Sequence, residues 1–212
     1  MNSRRISDFI SLYDRREGII ADILKEAREA DVPVLRDETA MFLETLVAAL
    51  SPVSVLELGT AVGYSAAVMA KASESIKRID TIEDWGPRIP IARENIERAG
   101  LRDIITIHEG DALEVMKSLT GPYDLVFIDA AKGQYPDYLG EAMRLTEKGS
   151  AIVADNIFCD GDILESRYAV ERRDRTIHKR MRDFLDELFS DDRLKSSIVP
   201  VGDGITVSVR TA

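Results

Sequence analysis

From residue 53 to residue 210 the chain alternates short apolar runs with amphipathic stretches of helical period, and this alternation narrows the fold more than any other feature. Short apolar runs separated by helices describe parallel strands, which need a crossover to return to the same end of the sheet and are buried on both faces by those crossovers. The runs at 53–58, 78–83, 104–108, 123–129 and 150–155 read as strands, with helices at 65–72, 87–99, 112–119 and 135–146. Ile177, Met181, Phe184, Leu185 and Leu188 mark a last long helix, and two further strands follow at 194–199 and 205–210. Val201-Gly202-Asp203-Gly204 between them supplies the turn of a hairpin, so the last pair is antiparallel. The expected architecture is α/β, a seven-stranded and mostly parallel sheet with a C-terminal antiparallel hairpin.

Before residue 53 the period is helical throughout. Ile6, Phe9, Ile10 and Tyr13, then Ile20, Ile23, Leu24 and Ala27, then Leu43, Leu46, Val47 and Leu50 each recur at i, i+3, i+4, i+7, which predicts three helices with one buried face apiece. No internal repeat, low-complexity tract or linker interrupts the chain, so residues 1–212 read as one domain with residues 1–50 as a helical appendage packed on it. Charges break every apolar run near the N-terminus, which leaves neither a secretory segment nor a membrane span and predicts a cytoplasmic protein. Cys159 is the single cysteine and there are two histidines, so any metal has to be held by oxygen. The net charge of -10 argues against a surface that is basic overall and leaves room for a local basic patch.

Ligands of a doubly wound sheet bind beyond the carboxyl ends of its strands. The first strand ends in Glu57-Leu58-Gly59-Thr60-Ala61-Val62-Gly63-Tyr64-Ser65, where Gly59 and Gly63 permit a tight turn and close approach of backbone to a ligand. The spacing is not that of a dinucleotide fingerprint, and the Glu57 carboxylate suits a ligand with a cationic amino group better than a pyrophosphate. Glu83 ends the second strand 20 residues past Gly63, where a carboxylate accepts hydrogen bonds from ribose hydroxyls. A nucleoside ligand follows from that pair. After the third strand, Asp111 in Gly110-Asp111-Ala112 either bonds an adenine amino group or caps the next helix, and the two roles can coexist. Trp85 either lies against the adenine or pins a loop.

The fourth strand ends in Asp129 and the fifth in Asp155-Asn156. Two carboxylates and an amide emerging from neighbouring strands suit Mg2+, which takes oxygen ligands and keeps positions for water or substrate; the alternative is a pair of solvated loop carboxylates. Lys132 stands three residues beyond Asp129, as a base or electrostatic partner for the same site or as an ordinary surface lysine.

Together these segments resemble the metal-dependent O-methyltransferases of the catechol and caffeoyl-coenzyme A type. The likeness rests on Val55 to Ser65, Thr81-Ile82-Glu83, Gly110-Asp111-Ala112, Asp129-Ala130-Ala131-Lys132 and Asp155-Asn156, and runs from about Val32 to the C-terminus. It implies the Rossmann-like sheet of class I methyltransferases and the donor S-adenosylmethionine. Implied donor contacts are Leu35, Ser65, Glu83, Asp111, Ala112 and Asp129, with Glu57 and Gly59 at the methionine end. The implied metal ligands are Asp129, Asp155 and Asn156, for Mg2+ or alternatively Mn2+ or Ca2+. Position 35 is often methionine in relatives, and leucine is a volume-conserving exchange. Within the family the chain is most similar to bacterial tRNA 5-hydroxyuridine methyltransferases, through Val32-Pro33-Val34-Leu35, Ile128 to Tyr135 and Pro200 to Gly204. That likeness implies methylation of 5-hydroxyuridine at the tRNA wobble position, Asp129 and Lys132 as the groups nearest the chemistry, and a homodimer. Gly133 stands where the catechol enzymes carry a carboxylate after the lysine, which favours the RNA acceptor.

The local support for RNA is segment 167–182, where Arg167, Arg172, Arg173, Arg175, Lys179, Arg180 and Arg182 face only Glu171 and Asp174, a net +5. Arg4, Arg5, Arg15 and Arg16 extend the patch. Otherwise these charges form a solvated helix face. The alternative acceptor is a small catechol-like phenol, and a third reading is a donor-binding module without turnover, against which the intact metal set speaks.

Overall fold

The computed structural model describes residues 3–212; the side chains of Arg4 and Ile6, used in the sequence reading, lie outside the described residues. Helices α1 (Ser3–Ser11), α2 (Ile19–Glu29) and α3 (Asp37–Leu50) come first. Strand β1 (Ser54–Leu58), helix α4 (Tyr64–Ala72), strand β2 (Arg78–Glu83), helix α5 (Ile89–Arg98) and strand β3 (Ile105–Glu109) follow. Then come α6 (Ala112–Ser118), β4 (Leu125–Ile128), α7 (Tyr135–Leu145), β5 (Ala151–Ala154), α8 (Arg175–Ser190), β6 (Leu194–Val199) and β7 (Ile205–Arg210). Two 3-10 turns, Lys132–Gln134 and Cys159–Leu164, precede α7 and the loop before α8. The hydrogen-bonded order is β3-β2-β1-β4-β5-β7-β6 in one seven-stranded sheet, with the β5–β7 and β6–β7 pairs antiparallel and the described registers of β1–β4, β2–β3 and β4–β5 parallel. The expected α/β class and strand count are therefore met.

The chain divides into two compact units. One holds the residues up to 54 together with 59–111; the other holds 55–58 and 112–212. In the first unit, α2 buries Ile20, Ile23, Leu24 and Ala27, the predicted stripe. Helix α3 buries Leu43 and Val47 and ends on Ser51, whose φ of 48° and N–H to the Val47 carbonyl close the last turn. A left-handed residue there stops the helix because the chain can no longer reach the i−4 carbonyl. Helix α1 differs from expectation: Phe9 and Tyr13 are exposed, and their rings meet edge to face at 5.3 Å. An apolar period marks a face that can be buried, and on α1 the aromatic pair covers itself instead.

In the second unit, β4 and β5 are buried at every residue, the pattern of central parallel strands covered on both faces. Edge strand β6 buries only Leu194 and leaves its other residues half-buried or exposed. Helix α8 buries His178, Met181, Phe184 and Leu188, while Ile177 is exposed. The buried face thus starts at a histidine rather than at the expected isoleucine, because the first turn of α8 lies over residue Glu165, whose carbonyl sits 3.1 Å from the His178 Nε2.

Candidate active site

In the first unit the glycine-rich turn after β1 is tied to the end of β2. The N–H groups of Gly59 and Thr60 both donate to the Ile82 carbonyl, at 3.0 and 3.1 Å, and the Thr60 and Thr81 hydroxyls share a buried 2.6 Å hydrogen bond. Gly59, Ala61 and Gly63 have φ of 100°, 46° and 81°. Three left-handed residues within five positions turn the chain abruptly into α4, and glycine holds two of them because it carries no Cβ penalty there.

Glu83 is the fastening of this turn. One carboxylate oxygen accepts the Ala61 N–H at 2.7 Å and the other the Trp85 N–H at 2.9 Å. Each oxygen keeps a lone pair, so the acid can hold the turn and still accept from a ligand hydroxyl. Asn95, buried on α5, donates its Nδ2 to the Val62 carbonyl at 3.0 Å and holds the far side of the same turn. The sequence reading passed over Asn95; a polar residue on the apolar face of α5 was the available signal. Ser65 and Leu35 are buried, Asp111 is exposed directly ahead of α6, and Trp85 is 58% exposed. Trp85 does not pin a loop by burial, so its ring is free to meet a ligand.

The second unit brings the candidate metal ligands together. The Asp129 N–H donates to the Leu58 carbonyl and the Asp155 N–H to the Ile128 carbonyl, both at 2.9 Å, so the ladder of β1, β4 and β5 runs one residue past each strand and delivers the two acids side by side. Burial raises the Asp129 carboxyl above the usual carboxylate range, with Lys132 opposing it. Burial and then the charge of Asp129 push Asp155 up to about 7, against the Asn156 N–H and Lys132, which lower it. The Asn156 N–H donates to the Asp155 Oδ1 at 2.7 Å, and the Lys132 Nζ donates to the Asn156 Oδ1 at 3.5 Å. Among the described residues no cluster of three His, Cys, Asp or Glu forms a metal cage; the third oxygen here is the Asn156 amide. Two buried carboxyls, one pushed up by the charge of the other, with the Asn156 amide oxygen reached by the same Lys132, are a donor set that a hard cation would stabilise by removing the repulsion.

Tyr135 is a second residue that sequence reading missed. Its ring is fully buried, and its hydroxyl donates to the Asp155 carbonyl at 3.0 Å, with the Ile128 carbonyl at 3.4 Å. It joins the ends of the two strands that carry the acids, yet in the sequence it reads only as the first apolar position of α7. Glu57, on β1, is fully buried.

The basic segment is largely spent on the protein itself. Arg173 pairs with Glu171 and Asp174, and Lys179 with Asp183. Arg175 donates to the Val170 and Tyr168 carbonyls, Arg182 to the Ile163 carbonyl, and Arg180 to the Gly133 carbonyl and Asp137. Arg167 and Arg172 are exposed, with no side-chain partner among the described residues. Of the N-terminal arginines, Arg16 is buried against Asp14 and is no part of an exposed patch.

A family model described as O-methyltransferase matches residues 17–211. The chain belongs to this O-methyltransferase family. Among its relatives is a catechol O-methyltransferase of Niastella koreensis, 35% identical over 164 residues that cover 76% of this chain and 74% of that protein. The O-methyltransferase of Bacillus cereus, solved in complex with SAH, superposes with a TM-score of 0.86 at 26% identity, covering 98% of this chain and 97% of the other. TomG of Streptomyces achromogenes, an O-methyltransferase involved in tomaymycin synthesis and solved with SAM, gives a TM-score of 0.87 at 25% identity over the whole of both chains. No helix among the described residues is long and apolar enough to cross a membrane.

Proposed function

We propose that this S-adenosylmethionine-dependent O-methyltransferase transfers its methyl group to one hydroxyl of a small phenol bearing two adjacent hydroxyls, with a divalent cation, Mg2+ in the first instance, held by Asp129, Asp155 and Asn156. The observation that carries this reading is the pair of buried acids, Asp129 and Asp155, at the ends of β4 and β5, with Lys132 acting on both and donating to the Asn156 Oδ1. The 35% identity to a catechol O-methyltransferase supports the acceptor class.

When bound, the donor supplies an electrophilic methyl on sulfur and the cation a Lewis acid that favours the ionised form of a chelated phenol. The protein does the rest. The Glu83 carboxylate, with the backbone of the Gly59–Gly63 turn, orients the nucleoside end of the donor. Leu35, Ser65 and Asp111 are the further donor contacts proposed in the first unit, with Gly59 toward the methionine end. Asp129 and Asp155 provide two negative charges at fixed positions, and Asn156 a neutral oxygen, so the set carries less charge than three acids and leaves a net attraction for an acceptor oxyanion. The Lys132 ammonium, directed at the Asn156 Oδ1, adds a positive charge that favours loss of the acceptor proton. Holding nucleophile and methyl donor in line accounts for much of the acceleration such sites achieve.

A second acceptor, 5-hydroxyuridine in tRNA, is favoured by the exposed Arg167 and Arg172 and by Gly133 in place of a carboxylate after Lys132. It loses weight because five of the seven basic side chains in segment 167–182 already have partners within the protein. The test is methyl transfer from labelled S-adenosylmethionine to catechol and to hypomodified tRNA, side by side with equal enzyme and Mg2+. Label in catechol alone, as one monomethyl ether, is the expected result. Label in tRNA with catechol untouched would replace this acceptor by the RNA one.

A further inference from the structure

The residue that supplies the third oxygen to the proposed cation site sits in an unusual stretch of backbone. Asn156, Cys159 and Asp160 have φ of 55°, 50° and 55°, three left-handed non-glycine residues within five positions. Such conformations persist only where the surroundings hold them. What holds this segment is the turn between β6 and β7. The Ile157 N–H donates to the Gly204 carbonyl at 3.1 Å, the Phe158 N–H to the Asp203 carbonyl at 2.9 Å, and the Asp160 N–H to the Asp203 Oδ2 at 2.9 Å. Asp203 is itself buried. Gly204 has φ of 81°, and a Cβ there would stand 2.5 Å from the Phe158 ring and 2.9 Å from the Ile157 Cγ1, so only glycine allows the two segments to lie this close.

We infer that Asp203 and Gly204 are positioning residues for the cation site: they clamp residues 157–160 and thereby fix the direction in which the Asn156 side chain leaves the strand end. The inference rests on the cation reading of Asp129, Asp155 and Asn156 and goes beyond it, because neither residue is among the proposed donor or metal contacts. Three backbone donors of the Asn156 segment, at 157, 158 and 160, end on two residues of a hairpin some 45 positions later in the chain, and the Asp203 side chain accepts the donor of the left-handed Asp160. Without that acceptor the segment is free to relax toward ordinary backbone angles, and the Asn156 amide oxygen leaves the position in which the Lys132 Nζ reaches it. Groups that orient metal ligands from behind typically govern metal affinity rather than donor affinity.

The experiment titrates Mn2+ into wild type, Asp203→Ala, Asp203→Asn and Gly204→Ala by electron paramagnetic resonance, and measures SAH binding to each by calorimetry. Asp203→Ala and Gly204→Ala are expected to bind Mn2+ about tenfold or more weaker, while Asp203→Asn, which keeps an acceptor oxygen for the Asp160 N–H, stays within about threefold of wild type. SAH affinity is expected to hold within about twofold throughout, which also reports that each variant is folded. Wild-type Mn2+ affinity in both Asp203→Ala and Gly204→Ala overturns the clamp, and so does a parallel loss of SAH and Mn2+ binding, which would mark a general structural role. A wild-type protein that binds SAH but no Mn2+ fails earlier, at the cation reading, and takes this inference with it.

Discussion

Asp155 works against the fold that carries it. Its carboxyl is 2% exposed and is pushed up to about 7 by burial and by Asp129. A carboxyl whose folded value lies above its unfolded value holds more protons in the folded state, so stability is full below the unfolded value near 4 and falls as pH rises toward 7. The metal-free protein should therefore lose stability between about pH 4 and 7 on account of this pair, and saturating Mg2+ should flatten that loss. Thermal melts across that range, with chelator and with Mg2+, check the slope; parallel curves in both conditions would mean that the cation does not meet these acids. Asp155→Asn keeps the acceptor for the Asn156 N–H and removes the charge, so it should raise metal-free stability at pH 8 by about 1–3 kcal/mol while abolishing Mn2+ binding. A destabilised Asp155→Asn protein would contradict the crowding argument. Tyr135→Phe deletes only the hydroxyl that bridges the strand ends, leaving the Asp155 carbonyl short of a partner. A cost of about 1–3 kcal/mol in stability is expected, with weaker Mn2+ binding and unchanged SAH affinity.

At the scale of elements, the turn between β1 and α4 is fastened by Glu83 on one side and Asn95 on the other. Glu83→Ala should therefore weaken SAH binding by about 1–3 kcal/mol, through the lost ligand hydrogen bonds and through a looser turn. Calorimetry decides it: an unchanged SAH affinity would move the nucleoside away from β2. Asn95→Ala, which removes the hydrogen bond to the Val62 carbonyl and the one accepted from Arg98, should give a smaller loss in the same direction. Which elements could be read in advance follows from what each residue has to do. Central strands β4 and β5 were legible because burial on both faces leaves nothing but apolar residues, and β6 and β7 because a glycine-rich turn separates two runs of strand length. The acids at strand ends were legible because the chain places them where a doubly wound sheet binds ligands. Tyr135, Asn95 and Asp203 were not, because each acts through a backbone group far away in sequence, and an apolar position or a turn position looks the same with or without that partner. The basic segment was only partly legible for the same reason. Charge along the sequence gives a sum, whereas the partners that consume it, such as Asp137 for Arg180, come from other elements.

For the whole molecule, the proposed function requires that donor and cation serve a single methyl transfer to a vicinal diol. Asp129 is assigned to both donor and cation, whereas Glu83 serves the donor and Asp155 and Asn156 the cation, so loss of Asp155 should spare donor binding. The measurement that tests this most directly is methyl transfer from labelled S-adenosylmethionine to catechol, run in excess chelator, after Mg2+ is restored, and with Asp155→Asn in saturating Mg2+. The account predicts turnover only for wild type with Mg2+, with SAH still bound at near wild-type affinity by the chelated enzyme and by the variant. Full catechol methylation in chelator, or by Asp155→Asn, would contradict it.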